Sequence, residues 1–132
     1  MGQSGDLGAE PTEFRVHATA ARLADLESRL RATNWPDDFA NDDWRYGTNG
    51  NYLRELVAYW LDGYDWRAQE AAINAFDHYR VAVAGMPIHF LRVPGKGPNP
   101  LPLIASHGWP WTFWDLNKIA RPLADPAAFG GD

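Results

Sequence analysis

The feature that most constrains this chain is the uncharged apolar run Leu101-Pro102-Leu103-Ile104-Ala105-Ser106, which leads directly into His107-Gly108-Trp109-Pro110. A run that is apolar without alternation is the pattern of a central parallel strand covered on both faces by helices. In open α/β sheets, ligands sit beyond the carboxyl ends of such strands. A glycine there lets the backbone turn tightly, so that its N–H groups can face the ligand. The run therefore predicts a buried strand, an α/β architecture, and a functional edge at residues 107–110 where the N–H of Trp109 is a candidate donor.

Length and charge narrow the partners. With 132 residues the chain is sized for one small domain with a modest core. A net charge of −5, a pI near 5.2 and the lack of any basic stripe exclude nucleic acid as a partner, since phosphate binding needs a basic face. The absence of Cys rules out a disulfide framework and thiolate metal sites and fits a reducing cytoplasm. Met1 to Pro11 is polar and Gly-rich, without the basic start and apolar core of a signal peptide, and no run approaches the ~18 apolar residues of a membrane span. The expectation is a soluble cytoplasmic chain with a flexible tail over residues 1–12. Seven Trp, five Tyr and six Phe are expected to supply much of the buried area.

Taken in order, residues 13–17 alternate and read as an extended arm. Thr19 is placed to cap a helix through Arg31, with Leu23, Leu26 and Leu30 on one face. Asn34-Trp35-Pro36 ends it, because the residue before Pro is pushed out of the helical region. Asp37, Asp38, Asp42 and Asp43 crowd one short stretch, but the calcium-loop spacing with its central Gly and final Glu is missing. This stretch reads as a solvated loop whose Asp residues make local turns, before Trp44 and Tyr46 re-enter the core. A second helix is expected over Tyr52–Leu61, capped by Asn49 or Asn51, with Leu53, Leu56, Val57 and Trp60 as its stripe. Asp65 is placed to cap a third helix through Phe76, with Trp66, Ile73 and Phe76 as its anchors. From His78 the period changes: Tyr79, Val81 and Val83 alternate, Ala84-Gly85 turns, and Ile88 to Val93 returns, which predicts an antiparallel hairpin. Gly95-Lys96-Gly97 lacks the rest of a phosphate-loop pattern. After the key loop, Thr112 and Asp115 stand at capping-box spacing for a helix in which Phe113, Leu116, Ile119 and Leu123 face the core, closed by Arg121-Pro122.

The series Leu26-Glu27-Ser28-Arg29-Leu30, Asn34-Trp35-Pro36, Asp43-Trp44-Arg45-Tyr46-Gly47, Tyr52-Leu53-Arg54-Glu55-Leu56, Tyr59-Trp60, Asp65-Trp66-Arg67 and finally His107-Gly108-Trp109-Pro110 resembles, in order and spacing, the microsomal-type epoxide hydrolases of the α/β-hydrolase fold. The resemblance covers roughly residues 14 to 125. It implies a helical N-terminal segment, residues 13–77, followed over residues 78–132 by the first strands and helix of a truncated α/β-hydrolase domain. It also implies that helices one to three wrap against the core domain.

Chemistry follows from the same resemblance. Such enzymes turn epoxides into vicinal diols through an alkyl-enzyme ester on an Asp nucleophile; a His paired with a carboxylate activates water, and two Tyr donate to the epoxide oxygen. Hydrolysis of the ester passes through an oxyanion held by two backbone N–H groups. The residue matching one donor is Trp109. His107, Gly108, Trp109, Pro110 and Trp111 are the substrate-side candidates. His107 is read as packing or hydrogen-bonding near the loop, against proton transfer; Trp109 as pocket wall and donor, against packing alone. Trp111 stands where the family commonly has a small residue, which either narrows the pocket or alters helix packing. No nucleophile elbow occurs, and the catalytic His and lid Tyr residues would lie further along. The four His residues show no metal spacing, so neither a metal nor another cofactor is expected. The partners expected are a small epoxide in the complete enzyme, and either further copies of the chain or the remainder of the hydrolase domain. Two rival readings stay open: a non-catalytic binding or assembly module of the same fold, and another α/β hydrolase such as an esterase or dehalogenase.

Overall fold

The structure, a computed structural model, describes residues 10–131. Residues 1–9, and so most of the tail expected over 1–12, lie outside the described residues. The described residues form two compact units, His17–Gln69 and a second that joins residues 10–16 to residues 70–131.

In the first unit, α1 spans Ala20–Arg31 and begins as its sequence dictates: the Thr19 side chain accepts from the Arg22 N–H at 3.3 Å. Leu23, Leu26 and Leu30 form its half-buried stripe. Arg29–Asp25 and Arg31–Glu27 pair at 2.9 and 2.8 Å on the outer face, where such pairs add only a few tenths of a kcal/mol. Helix α2 spans Gly50–Asp62, so it starts before the expected Tyr52. Two side chains close its N-terminus: Asn49 Oδ1 accepts from the Tyr52 N–H at 3.0 Å, and the Asp38 carboxylate accepts from the Gly50 N–H. A Cβ on Gly50 would lie 3.0 Å from Asp38, which is why the smallest residue stands there. The acidic loop folds around buried Asn41, whose Oδ1 accepts from the Tyr46 N–H while its carbonyl accepts from Asn49 Nδ2 at 2.9 Å. Trp44 and Tyr46 do not re-enter a core as expected; both are exposed, and Trp44 packs its ring against Tyr52. Of the stripe expected on α2, Val57 alone is half-buried, while Leu53, Leu56 and Trp60 are exposed.

Helix α3 covers Trp66–Ile73 and is capped by Asp65, whose Oδ1 accepts from the Ala68 N–H at 3.0 Å. It stops three residues short of Phe76. There Asn74 turns its side chain back onto the arm, accepting from the Val16 N–H at 2.9 Å and donating to the Val16 carbonyl at 2.8 Å. The arm itself is a strand, β1 (Thr12–Phe14), at one edge of a three-stranded antiparallel sheet completed by β2 (Asp77–Val83) and β3 (Met86–Arg92), in the order β1-β2-β3. The hairpin turns at Ala84 and Gly85, both with positive φ, 49° and 79°, as a two-residue turn between right-twisted strands requires. Register places Phe14, His78 and Leu91 abreast, with Thr12, Arg80 and His89 in the next row of the same face. That face, not the one bearing Tyr79, Val81 and Val83, holds the most buried side chain of the sheet, His78.

Beyond the hairpin the expectation of a buried strand fails: Leu101–Ser106 forms no strand, and Leu101 and Ile104 are 90 and 97% exposed. Among the described residues no neighbouring strand pairs with it, and an apolar run with an unpaired backbone has nothing to hold it in a sheet. After the loop, a 3-10 helix over Phe113–Leu116 leads into α4 (Asn117–Ala124). Thr112 caps this start, but its side chain accepts from the Trp114 N–H and not from Asp115. Pro122 lies inside α4 instead of ending it, and Ile119 and Leu123 are exposed instead of facing a core. Among the described residues Ile73 is the one buried apolar side chain, and no helix is long and apolar enough to cross a membrane.

Candidate functional site

The loop at residues 107–111 is a tight turn. The Trp111 N–H donates to the Gly108 carbonyl at 2.9 Å, and the Trp109–Pro110 peptide between them is cis. This turn carries Trp109 outward, 95% exposed, and its N–H has no acceptor among the described residues. His107 folds onto its own neighbour: Nδ1 lies 3.1 Å from the Gly108 carbonyl oxygen, and because a carbonyl only accepts, Nδ1 carries the proton. Nε2 lies on an exposed ring. Ser106 Oγ donates to the His107 carbonyl at 3.2 Å, and Trp111 is exposed beside Pro110. The five candidates thus stand together on one turn, with an open backbone donor at its apex. Chemically, the turn offers a hydrogen-bond donor that an incoming anionic oxygen can take without displacing an internal acceptor.

Four residues further on, Phe113 meets the sheet. Its ring is edge-on to His89 at 4.7 Å and to His78 at 6.0 Å, and Phe14 is likewise edge-on to His89 at 5.5 Å. The two imidazoles are hydrogen-bonded, His78 Nδ1 to His89 Nε2 at 3.0 Å, and His78 Nε2 donates to the Ile73 carbonyl at 2.8 Å. Burial holds His89 below the usual histidine range, and the nearby His78 and Arg80 push it the same way. Scanning the His residues for metal spacing passes over this pair. The signal lay in the hairpin: a turn at Ala84-Gly85 sets His78 and His89 diagonally on one face.

A separate cleft of ≈ 450 Å³ opens where β2 begins and β3 ends, lined by Asp77, Arg92, Lys96, Arg121 and Asp125 among others. Three of these charges are already engaged: Lys96 pairs with Asp125 at 2.7 Å and holds that carboxyl below its usual range, and Arg121 donates to the Ala75 carbonyl at 3.2 Å. Among the described residues no group of three His, Asp or Glu side chains is arranged to hold a metal ion.

Residues 11–116, which include the loop, match the family described as Epoxide hydrolase N terminus. A Stigmatella aurantiaca (strain DW4/3-1) protein, provisionally named an epoxide hydrolase, is 41% identical over 120 residues, and Epoxide hydrolase 1 of Oryctolagus cuniculus is 32% identical over 123. These alignments take in 91 and 89% of this chain but 27% of each relative, so the chain spans about a quarter of their length. The solved structure of Aspergillus niger epoxide hydrolase superposes with a TM-score of 0.78 at 27% identity, over 86% of this chain and 30% of that one.

Proposed function

The chain belongs to the epoxide hydrolase N-terminal family and has the fold of the first part of an α/β-hydrolase, and from that premise we propose that it serves as the N-terminal portion of an enzyme that opens small epoxides to vicinal diols through an alkyl-enzyme ester. Its own contribution is one half of an oxyanion hole. The N–H of Trp109 meets the oxyanion that forms when water attacks the ester, while His107, Gly108, Pro110 and Trp111 shape the turn and border the substrate. The nucleophile, the base that activates water and the groups that protonate the epoxide oxygen come from the remainder of the hydrolase domain, so the 132 residues alone are inactive. In this reading residues 13–77 form the helical segment and 78–132 the start of the hydrolase domain, in a soluble cytoplasmic enzyme without a cofactor.

The observation that carries the proposal is the Trp109 N–H: it sits at the apex of a turn closed by Trp111 and Gly108 and has no internal acceptor among the described residues. The test is a chimera in which residues 11–116 replace the matching part of the Stigmatella aurantiaca relative, with the unaltered relative as control. Diol release from a styrene-oxide-type substrate is expected in the chimera. Trp109→Pro removes the N–H and should lower kcat by roughly 10²-fold or more, whereas Trp109→Phe keeps the donor and most of the rate. Equal losses in the two variants overturn the backbone role, and a folded chimera without turnover beside an active control overturns the assignment.

A further inference from the structure

Resting on the reading of residues 107–111 as a site, we propose that the His78–His89 pair is a proton-sensitive clamp on Phe113, holding the helix start behind the loop while both rings are neutral and releasing it when the pair takes up a proton. In the neutral state every polar atom but one is matched. A carbonyl only accepts, so His78 Nε2 carries a proton toward Ile73, His78 Nδ1 presents its lone pair, and His89 Nε2–H donates into it. The odd atom is His89 Nδ1, which has no partner among the described residues and is where a further proton would bind. The pair is well placed to couple that proton to packing. His78 is 4% exposed, and Phe113, the first residue of the 3-10 helix, stands edge-on to both imidazoles.

The surroundings disfavour the added charge. From β2 the pair faces Arg80, directly opposite His89 in register, with its guanidinium 3.7 Å from the centre of the Phe14 ring. From β1 come Thr12 and Phe14, and from β3 Pro87 and Leu91, all uncharged. From α3 comes the Ile73 carbonyl, with the buried Glu70 one turn earlier on that helix; from the 3-10 helix comes Phe113, while Asp115 on the same element is exposed. Burial dominates at His89, and His78 and Arg80 add to it. The sign follows. A histidine held below its unfolded value, about 6.5, contributes stability that is complete above that pH and is lost as pH falls through the folded value.

The test needs no catalysis, so its outcome is separable from that of the chimera. In the full 132-residue chain with 15N-labelled His and 13C-labelled Phe, long-range imidazole spectra should show His89 protonated at Nε2 alone above about pH 6.5, with His78 Nε2 carrying the proton it donates to Ile73. On acidification His89 should titrate below that value, and the Phe113 ring and the Trp109 amide should shift with the same midpoint. In His89→Phe, which preserves the packing of a ring against Phe113, that shared response should disappear. A His89 titration that leaves Phe113 unmoved, or a Phe113 response that survives in His89→Phe, overturns the clamp. If His89→Phe does not fold, the unmodified chain still decides, through coincident or separate midpoints.

Discussion

Asp38 reaches across twelve positions to the N-terminus of α2, where its carboxylate accepts from the Gly50 N–H beside the cap made by Asn49. An anionic acceptor at that end also meets the positive pole of the helix. Asp38→Ala should therefore lower the unfolding free energy by about 1 kcal/mol, read from the urea midpoint, whereas Asp42→Ala in the same loop should stay within about 0.5 kcal/mol. Equal effects from the two substitutions would show that the loop carries only generic charge. Local capping was legible in the sequence because it acts over three residues: Thr19, Asn49 and Asp65 each accept from an N–H three positions ahead. Asp38 was not, since nothing in a run of four carboxylates distinguishes the one that a later turn brings to a helix end. The loop residues His107 to Trp111 were legible as a group, yet the inward hydrogen bond of His107 to the Gly108 carbonyl depends on the turn's geometry and not on residue type.

The β2–β3 hairpin was legible as two antiparallel strands about a turn at Ala84-Gly85, although the second strand begins at Met86, ahead of the expected Ile88, and its register follows from the two-residue turn. Its weak point is Ala84, a side-chain-bearing residue at φ 49°, where an L-residue other than Asn, Asp or Gly pays roughly 1–2 kcal/mol. Ala84→Asn should raise stability by roughly 0.5–1 kcal/mol and slow amide exchange along β2, because Asn-Gly suits a turn of this hand. Gly85→Ala should do the reverse. Unchanged exchange in both variants would mean that the turn does not limit the hairpin. Helix α3 shows where periodicity misleads: its apolar residues continue to Phe76, but Asn74 ends it by bonding to both backbone groups of Val16. Leu101–Ser106 misleads in the opposite direction. Its composition describes a strand with neighbours on both sides, and being a strand is a property of those neighbours as much as of the run.

The distribution of apolar surface over the whole chain completes this point. Ile73 is the one buried apolar side chain among the described residues, while Leu101, Ile104 and Trp109 are each at least 90% exposed and Leu103 and Trp111 flank them openly. Trp66 adds a buried indole N–H with no acceptor among the described residues. A contiguous apolar stretch of this kind is the signature of a surface meant to be covered, and an unpaired backbone beside it is a template for another strand. In the complete enzyme the proposed cover is the remainder of the hydrolase domain. The 132-residue chain by itself should therefore self-associate, with a mass by size exclusion and light scattering above 14.8 kDa that falls on dilution. Ile104→Lys with Leu103→Asp, which places charge on both sides of the run, should shift the population toward monomer without altering the hairpin's amide exchange. A monomer that persists at high concentration in the unmodified chain would refute the association, and diol formation that tracks the purified chain would show that its own side chains complete the chemistry.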